Sequence, residues 1–400
     1  MNNPEIIPEI FTPEERDENE VRKRELINLV ASGEAILIVG AGSSARVNYV
    51  LWEGLLKELE QLANQCGSGF EPNEGKRGEK PLEYAEDIKT HIEKTEDIGK
   101  YYALLDELFR PNAQGYDEFH RKLVDLPFRG ILTTNYDTVL EEALFGKKIE
   151  AERDGKQIRP IDVMPLVIGR DTPRLIHEFL LARSNDPHIP QRIAHLHGVY
   201  RDRESIILSS NDYAKNYGLR VEQPNEDQQP NEDQRNEDRW TFHRKLLWAV
   251  LATRRVVFVG FSMEDPYFNE MLKIVSADLW AWDKSIHFAV MGISTEDTNK
   301  DSKDKAKWLK SKYGVDTVFY EVLENEIPEK KHKLLEPLFA DIAKQCESEN
   351  RSIEETQDLS GDSEHSEGEE SKSISSGSSD ISNWIKRASR RMIRRMGDED

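Results

Sequence analysis

Six unbroken small or branched apolar residues, AILIVG at 35–40, run directly into GAGSSA at 40–45. A run this short and this uniformly apolar reads as a strand buried on both faces, the kind that parallel sheets contain. The glycines behind it match G-x-G-x-x-A. They permit a tight turn and close approach of backbone to a pyrophosphate, with oriented N–H groups from the next helix. A glycine-rich strand–helix turn with no ligand is the alternative. An ordinary dehydrogenase would place an acid at the end of a second strand about 20 residues on. Helix and loop occupy that region here, which disfavours hydride transfer.

Comparable runs recur down the chain: GILTT at 130–134, RIAHLHG at 192–198, SIILSS at 205–210, RVVFVGFS at 255–262, SIHFAVMG at 285–292 and VDTVFYEV at 315–322. Each reads as a strand. Apolar residues at 3–4 spacing predict helices over 21–32, from Leu51 to Leu62, throughout 81–125, after NYD through Leu144, and over 242–253, 266–275 and 331–346. Residues 66–80 read as a loop. Strands alternating with helices along the whole length predict an α/β fold with a doubly wound, mostly parallel, Rossmann-like sheet.

The net charge of -21 and a hydrophobic share of only 37% are uneven along the chain. Much of the acid sits in the near-repeat EQPNEDQQPNEDQRNEDR at 222–239 and in the Ser/Glu-rich stretch from 347. Neither has apolar residues enough to bury, so both read as disordered. The organisation predicted is a disordered acidic N-terminus over 1–20, one folded domain over 21–346 and a disordered linker over 347–380. A basic segment comes next over 381–397, with Trp384, Ile385 and Met392 at helical spacing between arginines. Such a segment suits an anionic membrane surface or an acidic partner, or is a solvated tail. The acidic balance disfavours nucleic acid as a partner of the folded domain. No run approaches the about 20 apolar residues of a membrane span, and the N-terminus lacks a signal-peptide core. The expectation is a cytoplasmic protein. Two distant cysteines, Cys66 and Cys346, exclude a disulfide framework and an all-cysteine zinc ribbon.

Three further motifs fall at strand ends, where open α/β sheets bind ligands. In Thr133-Thr134-Asn135-Tyr136-Asp137, an Asn can hold a water or a ribose hydroxyl through donor and acceptor together; a helix cap is the competing reading. In His195-Leu196-His197-Gly198 the two histidines would share one face. No cysteine or carboxylate nearby completes a zinc site, so one histidine as general base is the better functional reading, against a structural core histidine. In Gly260-Phe261-Ser262-Met263-Glu264-Asp265-Pro266, Ser262 can bond ribose or phosphate and Asp265 can cap the helix that starts at Pro266.

Taken in order, GAGSS, TTNYD, HLHG and GFS resemble the motif series of the sirtuin family over roughly residues 25–345, and more closely its divergent prokaryotic-type branch. The resemblance implies Asn135 and His197 as catalytic residues. It implies Gly40, Ala41, Gly42, Ser43, Asp137, Gly260 and Ser262 as cofactor-binding residues, with Asp137 a supporting acid, and NAD as substrate. Two departures stand out. There is no four-cysteine zinc ribbon, so no zinc is expected, and ARVNYVLW at 45–52 lacks the Gly-x-Pro-Asp-Phe-Arg run of protein-deacylating members. The helical segment at 81–125 would replace the zinc-binding small domain. Many members of that branch hydrolyse NAD, often in antiphage defence. The resemblance therefore implies an NAD hydrolase giving ADP-ribose and nicotinamide, controlled by homo-oligomerisation or a regulatory partner. The alternatives are an NAD- or ADP-ribose-sensing module without turnover, or an NAD-dependent deacylase or ADP-ribosyltransferase.

Overall fold

A computed structural model describes residues 10–67, 69–184, 186–218, 241–263, 265–279, 286–294, 299–323 and 332–361. The acidic repeat at 222–239 and the basic segment at 381–397 lie outside the described residues. Residues 1–350 form one compact unit and 351–400 a second.

The apolar runs become one parallel sheet. Its strands are β1 (Ala35–Val39), β2 (Gly130–Thr133), β3 (Leu166–Val167), β4 (Ile193–His195), β5 (Arg255–Val259), β6 (His287–Ile293) and β7 (Val315–Glu321), in the order β3-β4-β2-β1-β5-β6-β7. Every pairing is parallel. Among the described residues the helices are α1 (Pro13–Ala31), α2 (Ala41–Ser44), α3 (Trp52–Gln65), α4 (Glu74–Glu79), α5 (Pro81–Lys94), α6 (Ile98–Phe109) and α7 (Glu118–Asp125). They continue as α8 (Val139–Asp154), α9 (Pro173–Leu181), α10 (Ser210–Tyr217), α11 (Phe242–Thr253), α12 (Pro266–Asp278), α13 (Asn299–Tyr313) and α14 (Leu335–Gly361).

The strands lack polar–apolar alternation because both sheet faces are covered. Ile36, Ile38, Val256 and Phe258 pack beneath α9 to α13. Leu37, Val39, Val257 and Val259 pack against α1, α7, α8 and α14. A third core joins α3, α5 and α6 through Leu59, Ile88 and Leu105 and takes in Tyr136, Ile206 and Leu208. The helical insertion therefore comprises α3 to α6, whereas α7, at the end of the helical stretch predicted over 81–125, belongs to the sheet's own layer. Tyr136 anchors the insertion beside β2, donating from its hydroxyl to Ile207 O at 2.7 Å.

Some expectations are corrected. The N-terminal region expected to be disordered through residue 20 is helical from Pro13. Thr12 and Glu15 bond each other's backbone amides in a capping box, with Pro13 in the first turn. Asn19 then pairs with both backbone groups of Phe319, at 3.0 and 2.8 Å, and so covers the edge of β7. Residues 66–80, read as loop, contain α4, capped by Asn73. SIILSS is not a strand. β4 already has β2 and β3 on its two sides, so Ile206–Leu208 make a single ladder-like bond, Ile207 N to His197 O at 3.0 Å. Ser209 and Asp212 then cap α10 reciprocally. The last helix runs on to Gly361 rather than ending at 346. No helix among the described residues is long and apolar enough to cross a membrane.

His287 opens β6 fully buried and accepts from Val256 N–H at Nδ1, 3.2 Å away. Burial, and then the Arg255 charge, bring its pKa from 6.5 down to about 3. Between those values the unfolded chain binds a proton that the folded chain does not. Stability is therefore lost as the pH falls below 6.5, with the loss from this group complete near 3. His287→Asn keeps an acceptor for Val256 and removes the proton. Urea unfolding at a series of pH values should give an acid limb shallower by about 1.4 kcal/mol per pH unit. An unchanged slope would mean that His287 titrates normally in the fold.

Candidate functional site

The sheet order reverses at β1: its chain continues towards β2 on one side, while β5, on the other, leads to β6. Ligands of open α/β sheets bind at such a switch, beyond the carboxyl ends of the strands. Two of the sequence motifs interlock there. Gly40 N donates to Val259 O at 3.0 Å and Gly42 N to Gly260 O at 2.9 Å. A Cβ on Gly40 would lie 2.5 Å from Gly260 O, and one on Gly260, whose φ is +63°, would lie 2.5 Å from Ser43 N. The amides of Gly40, Gly42 and Ser43 are all used within the protein. These glycines therefore let one loop's backbone pack on the other's, and their amides are not free donors. After one turn of α2 the chain makes a short 3₁₀ turn over Ala45–Val47, and the long helix α3 starts only at Trp52.

Asn135 lies across this junction. Thr133, at the end of β2, donates from Oγ1 to Val39 O at 3.0 Å and accepts from Asn135 N at 3.0 Å. Asn135 Nδ2 reaches Gly40 O at 3.2 Å and Ser44 Oγ at 2.9 Å. Its Oδ1 is buried and has no hydrogen-bond partner among the described residues. Asn135 is thus not the helix cap that competed with the functional reading. Asp137 does part of that work, accepting from Val139 N at 3.1 Å. Burial raises the Asp137 pKa above 3.8, against the bonds from Val139 N and the Ser44 hydroxyl. Its carboxyl supports the glycine loop through Ser44.

The two histidines part company because β4 ends at His195, so the period of two does not extend to His197. Fully buried His195 bonds Asn135 O through Nδ1 at 2.9 Å and Glu141 through Nε2 at 2.7 Å. Burial pulls its pKa down, but the charge and hydrogen bond of Glu141 outweigh that and hold it above 6.5. His197, also buried, meets two tyrosines of α10: Nε2 lies 3.1 Å from Tyr217 Oη and Nδ1 3.3 Å from Tyr213 Oη. Burial brings its pKa to about 3, so the ring is neutral. Tyr213 Oη donates onward to Asp265 Oδ2 at 2.8 Å. The other carboxyl oxygen of Asp265 caps α12, accepting from Tyr267 N and Phe268 N at 2.9 Å each. Ala41 and Ser262 are exposed, and Met263 beside Ser262 is left-handed at φ 57°.

Sequence reasoning missed Glu141, Tyr213, Tyr217 and a further group under the glycine loop. His120 Nε2 bonds Ser43 O at 3.2 Å, and its Nδ1 sits 2.7 Å from Asp117, which also pairs with Arg46 at 2.8 Å. Burial works against the Asp117 charge, but His120 and Arg46 hold its pKa well below 3.8. A cavity of about 370 Å³ opens beside this cluster, lined by Arg46, Val47, Gln114, Tyr116, Asp117, Lys333 and Glu336. It includes neither Asn135 nor His197, and Arg46 in its wall is already paired with Asp117 and Glu336. Cys66 and Cys346 are buried and not joined in a disulfide. The described residues contain no group of three or more His, Cys, Asp or Glu side chains placed to hold a metal ion.

Residues 129–318 match the model of the SIR2-like domain. That span contains Asn135, Asp137, His197, Gly260 and Ser262 but not the glycine loop at 40–45. The chain is also similar to the NAD(+) hydrolase ThsA of Enterococcus faecium, 22% identical over 280 residues. The match covers 69% of this chain and 46% of ThsA, so the chain spans less than half the length of that relative.

Interlocked loops leave no tolerance for a side chain at Gly260. Gly260→Ala should destabilise the protein by on the order of 1–3 kcal/mol from backbone strain alone, with steric overlap adding to it. Denaturant midpoints of the two proteins measure this, and equal midpoints would show that the junction relaxes freely.

Proposed function

From the premise that the chain carries a SIR2-like domain, we propose that it hydrolyses NAD at the bond between nicotinamide and ribose. The observation that carries this reading is Asn135 Oδ1, a buried acceptor without a partner among the described residues, held beside the interlocked glycine loops at the strands' carboxyl ends. A buried amide oxygen left unpaired costs about 1–3 kcal/mol. A ribose hydroxyl or a water would satisfy it.

The chemistry needs few groups. Nicotinamide in NAD is a cationic leaving group, so it departs with the bonding electron pair and needs no general acid. The ribose passes through an oxocarbenium-like transition state, as in other glycosyl transfers. Water adds to the anomeric carbon and loses one proton; the products are nicotinamide, ADP-ribose and that proton. In this reading Asn135 holds the ribose hydroxyls or the water. Neutral His197 accepts a proton, which a charged imidazolium could not do, or binds a hydroxyl. Gly40, Ala41, Gly42 and Ser43 line the pyrophosphate, while Gly260 and Ser262 lie on the adenosine side. Asp137 acts through Ser44. The name of the ThsA relative supports hydrolysis over transfer. A regulated role in antiphage or stress defence, in the cytoplasm, follows from the family resemblance, with control by self-association or a partner.

Mass analysis of products from NAD separates the readings. Hydrolysis yields ADP-ribose and nicotinamide; ADP-ribosyl transfer attaches ADP-ribose to an acceptor and releases nicotinamide; deacylation moves the acyl group onto ADP-ribose and releases nicotinamide; a sensing module yields no product. Asn135→Ala and His197→Ala should each lower turnover by about 100-fold or more. Variants that cleave NAD at the parent's rate would sink the assignment.

A further inference from the structure

The hydrogen bonds around His197 form a one-way chain, and their direction is set by donor and acceptor counts. Burial raises the Asp265 pKa above 3.8, against the bonds from Phe268 N, the Tyr213 hydroxyl and Tyr267 N; in its carboxylate form it only accepts. One oxygen takes Tyr267 N–H and Phe268 N–H, and the other takes the Tyr213 hydroxyl at 2.8 Å. Tyr213 has a single proton and has spent it on Asp265. Towards His197 Nδ1, 3.3 Å away, its oxygen can therefore only accept, so the ring's proton sits on Nδ1. A neutral imidazole has one N–H. Nε2 is then bare and accepts from Tyr217 Oη at 3.1 Å.

We propose that Asp265 and Tyr213 are positioning residues that hold His197 in its Nδ1–H tautomer, so that Nε2, which accepts from Tyr217 Oη in this structure, is the ring atom that takes a ribose hydroxyl or water when that bond is exchanged. The inference rests on the role assigned to His197 above. Neither residue touches the reacting atoms in this account. The Tyr213 and His197 rings also meet edge to face, with centroids 5.0 Å apart and planes 68° apart, a contact that restrains the imidazole's orientation. Asp265 thereby has two tasks, one oxygen on the α12 cap and the other on the tautomer.

Asp265→Asn separates them. The Asn oxygen still caps α12, but its Nδ2 now donates to Tyr213. The Tyr213 proton must then turn to His197 Nδ1, and the imidazole proton moves to Nε2. Shape is preserved and polarity reversed, a change known to disable a histidine base without disturbing its geometry. The direct test is ¹⁵N NMR of the full chain labelled at histidine, with His197 assigned by its loss in His197→Ala. Protonated and bare ring nitrogens resonate far apart. The parent should show protonated Nδ1 and bare Nε2, and Asp265→Asn the reverse. In NAD turnover, Asp265→Asn should lower kcat by about 100-fold with KM little changed. Tyr213→Phe cuts the chain, so adding Asp265→Asn to it should change neither the spectrum nor the rate further, a non-additivity that independent structural damage would not produce. A parent protonated on Nε2, or an Asp265→Asn spectrum identical to the parent's, overturns the proposal. A tautomer that switches in a protein without NAD turnover would leave the positioning intact and remove the hydrolase reading instead.

Discussion

The close approach of Gly40 to Gly260 is the constraint on which the rest of the site depends. β1 and β5 are neighbours at the centre of the sheet, and the chain leaves them in opposite directions. Their two exit loops must therefore pass each other within backbone contact, and only residues without Cβ permit that. Once interlocked, the loops present Gly40 O and the Ser44 hydroxyl to Asn135 from the next strand over. The arrangement costs backbone freedom and uses three loop amides internally. It yields a rigid floor beneath Asn135.

Around that floor the polar groups are buried and almost wholly paired. Thr133 ties β2 to β1 and sets the Asn135 backbone. His195, braced by Glu141, holds the Asn135 carbonyl from the other side. His120 does the same for the Ser43 carbonyl. In a desolvated setting each such bond is stronger than in water, and each missing one costs more. Asn135 Oδ1 is unpartnered among the described residues, as is Glu141 Oε2 beside His195. The histidines also divide the electrostatic work. The Glu141 charge holds His195 towards its charged form, and burial among tyrosines keeps His197 neutral.

Much of the fold was legible in the residues. β1, β2 and β5 to β7 are runs of branched apolar side chains because the sheet buries both faces, and burial on both sides removes any polar position. Leu166–Val167 carries no readable period in two residues, and it became an edge strand only because β4 offered a free side. The misreading of SIILSS has the complementary cause. Ile206 to Leu208 have strand-like character and are buried, yet no ladder position remained for them, and Ser209 with Asp212 turned the chain into α10. The N-terminal helix was missed because its acidic surface resembled a disordered tail, although Thr12, Pro13 and Glu15 carried the capping signal.

Asn135, His197 and the glycine motifs were visible in the sequence because each sits at a strand's end, and local residue order sets the turn by which a strand ends. Which groups those residues would meet was another matter. Glu141 lies 54 residues from His195, Tyr217 lies 20 from His197, and Asp265 lies 52 from Tyr213. No periodicity joins such pairs. The sequence by itself determined a parallel α/β sheet, the glycine turns and the polar residues at its strand ends, since hydrophobic pattern and turn chemistry dictate all three. Only the tertiary structure decided which histidine is held towards its charged form and which is kept neutral, and which buried acceptors are left without a partner among the described residues. Those properties arise from desolvation and from contacts that exist once the chain is packed.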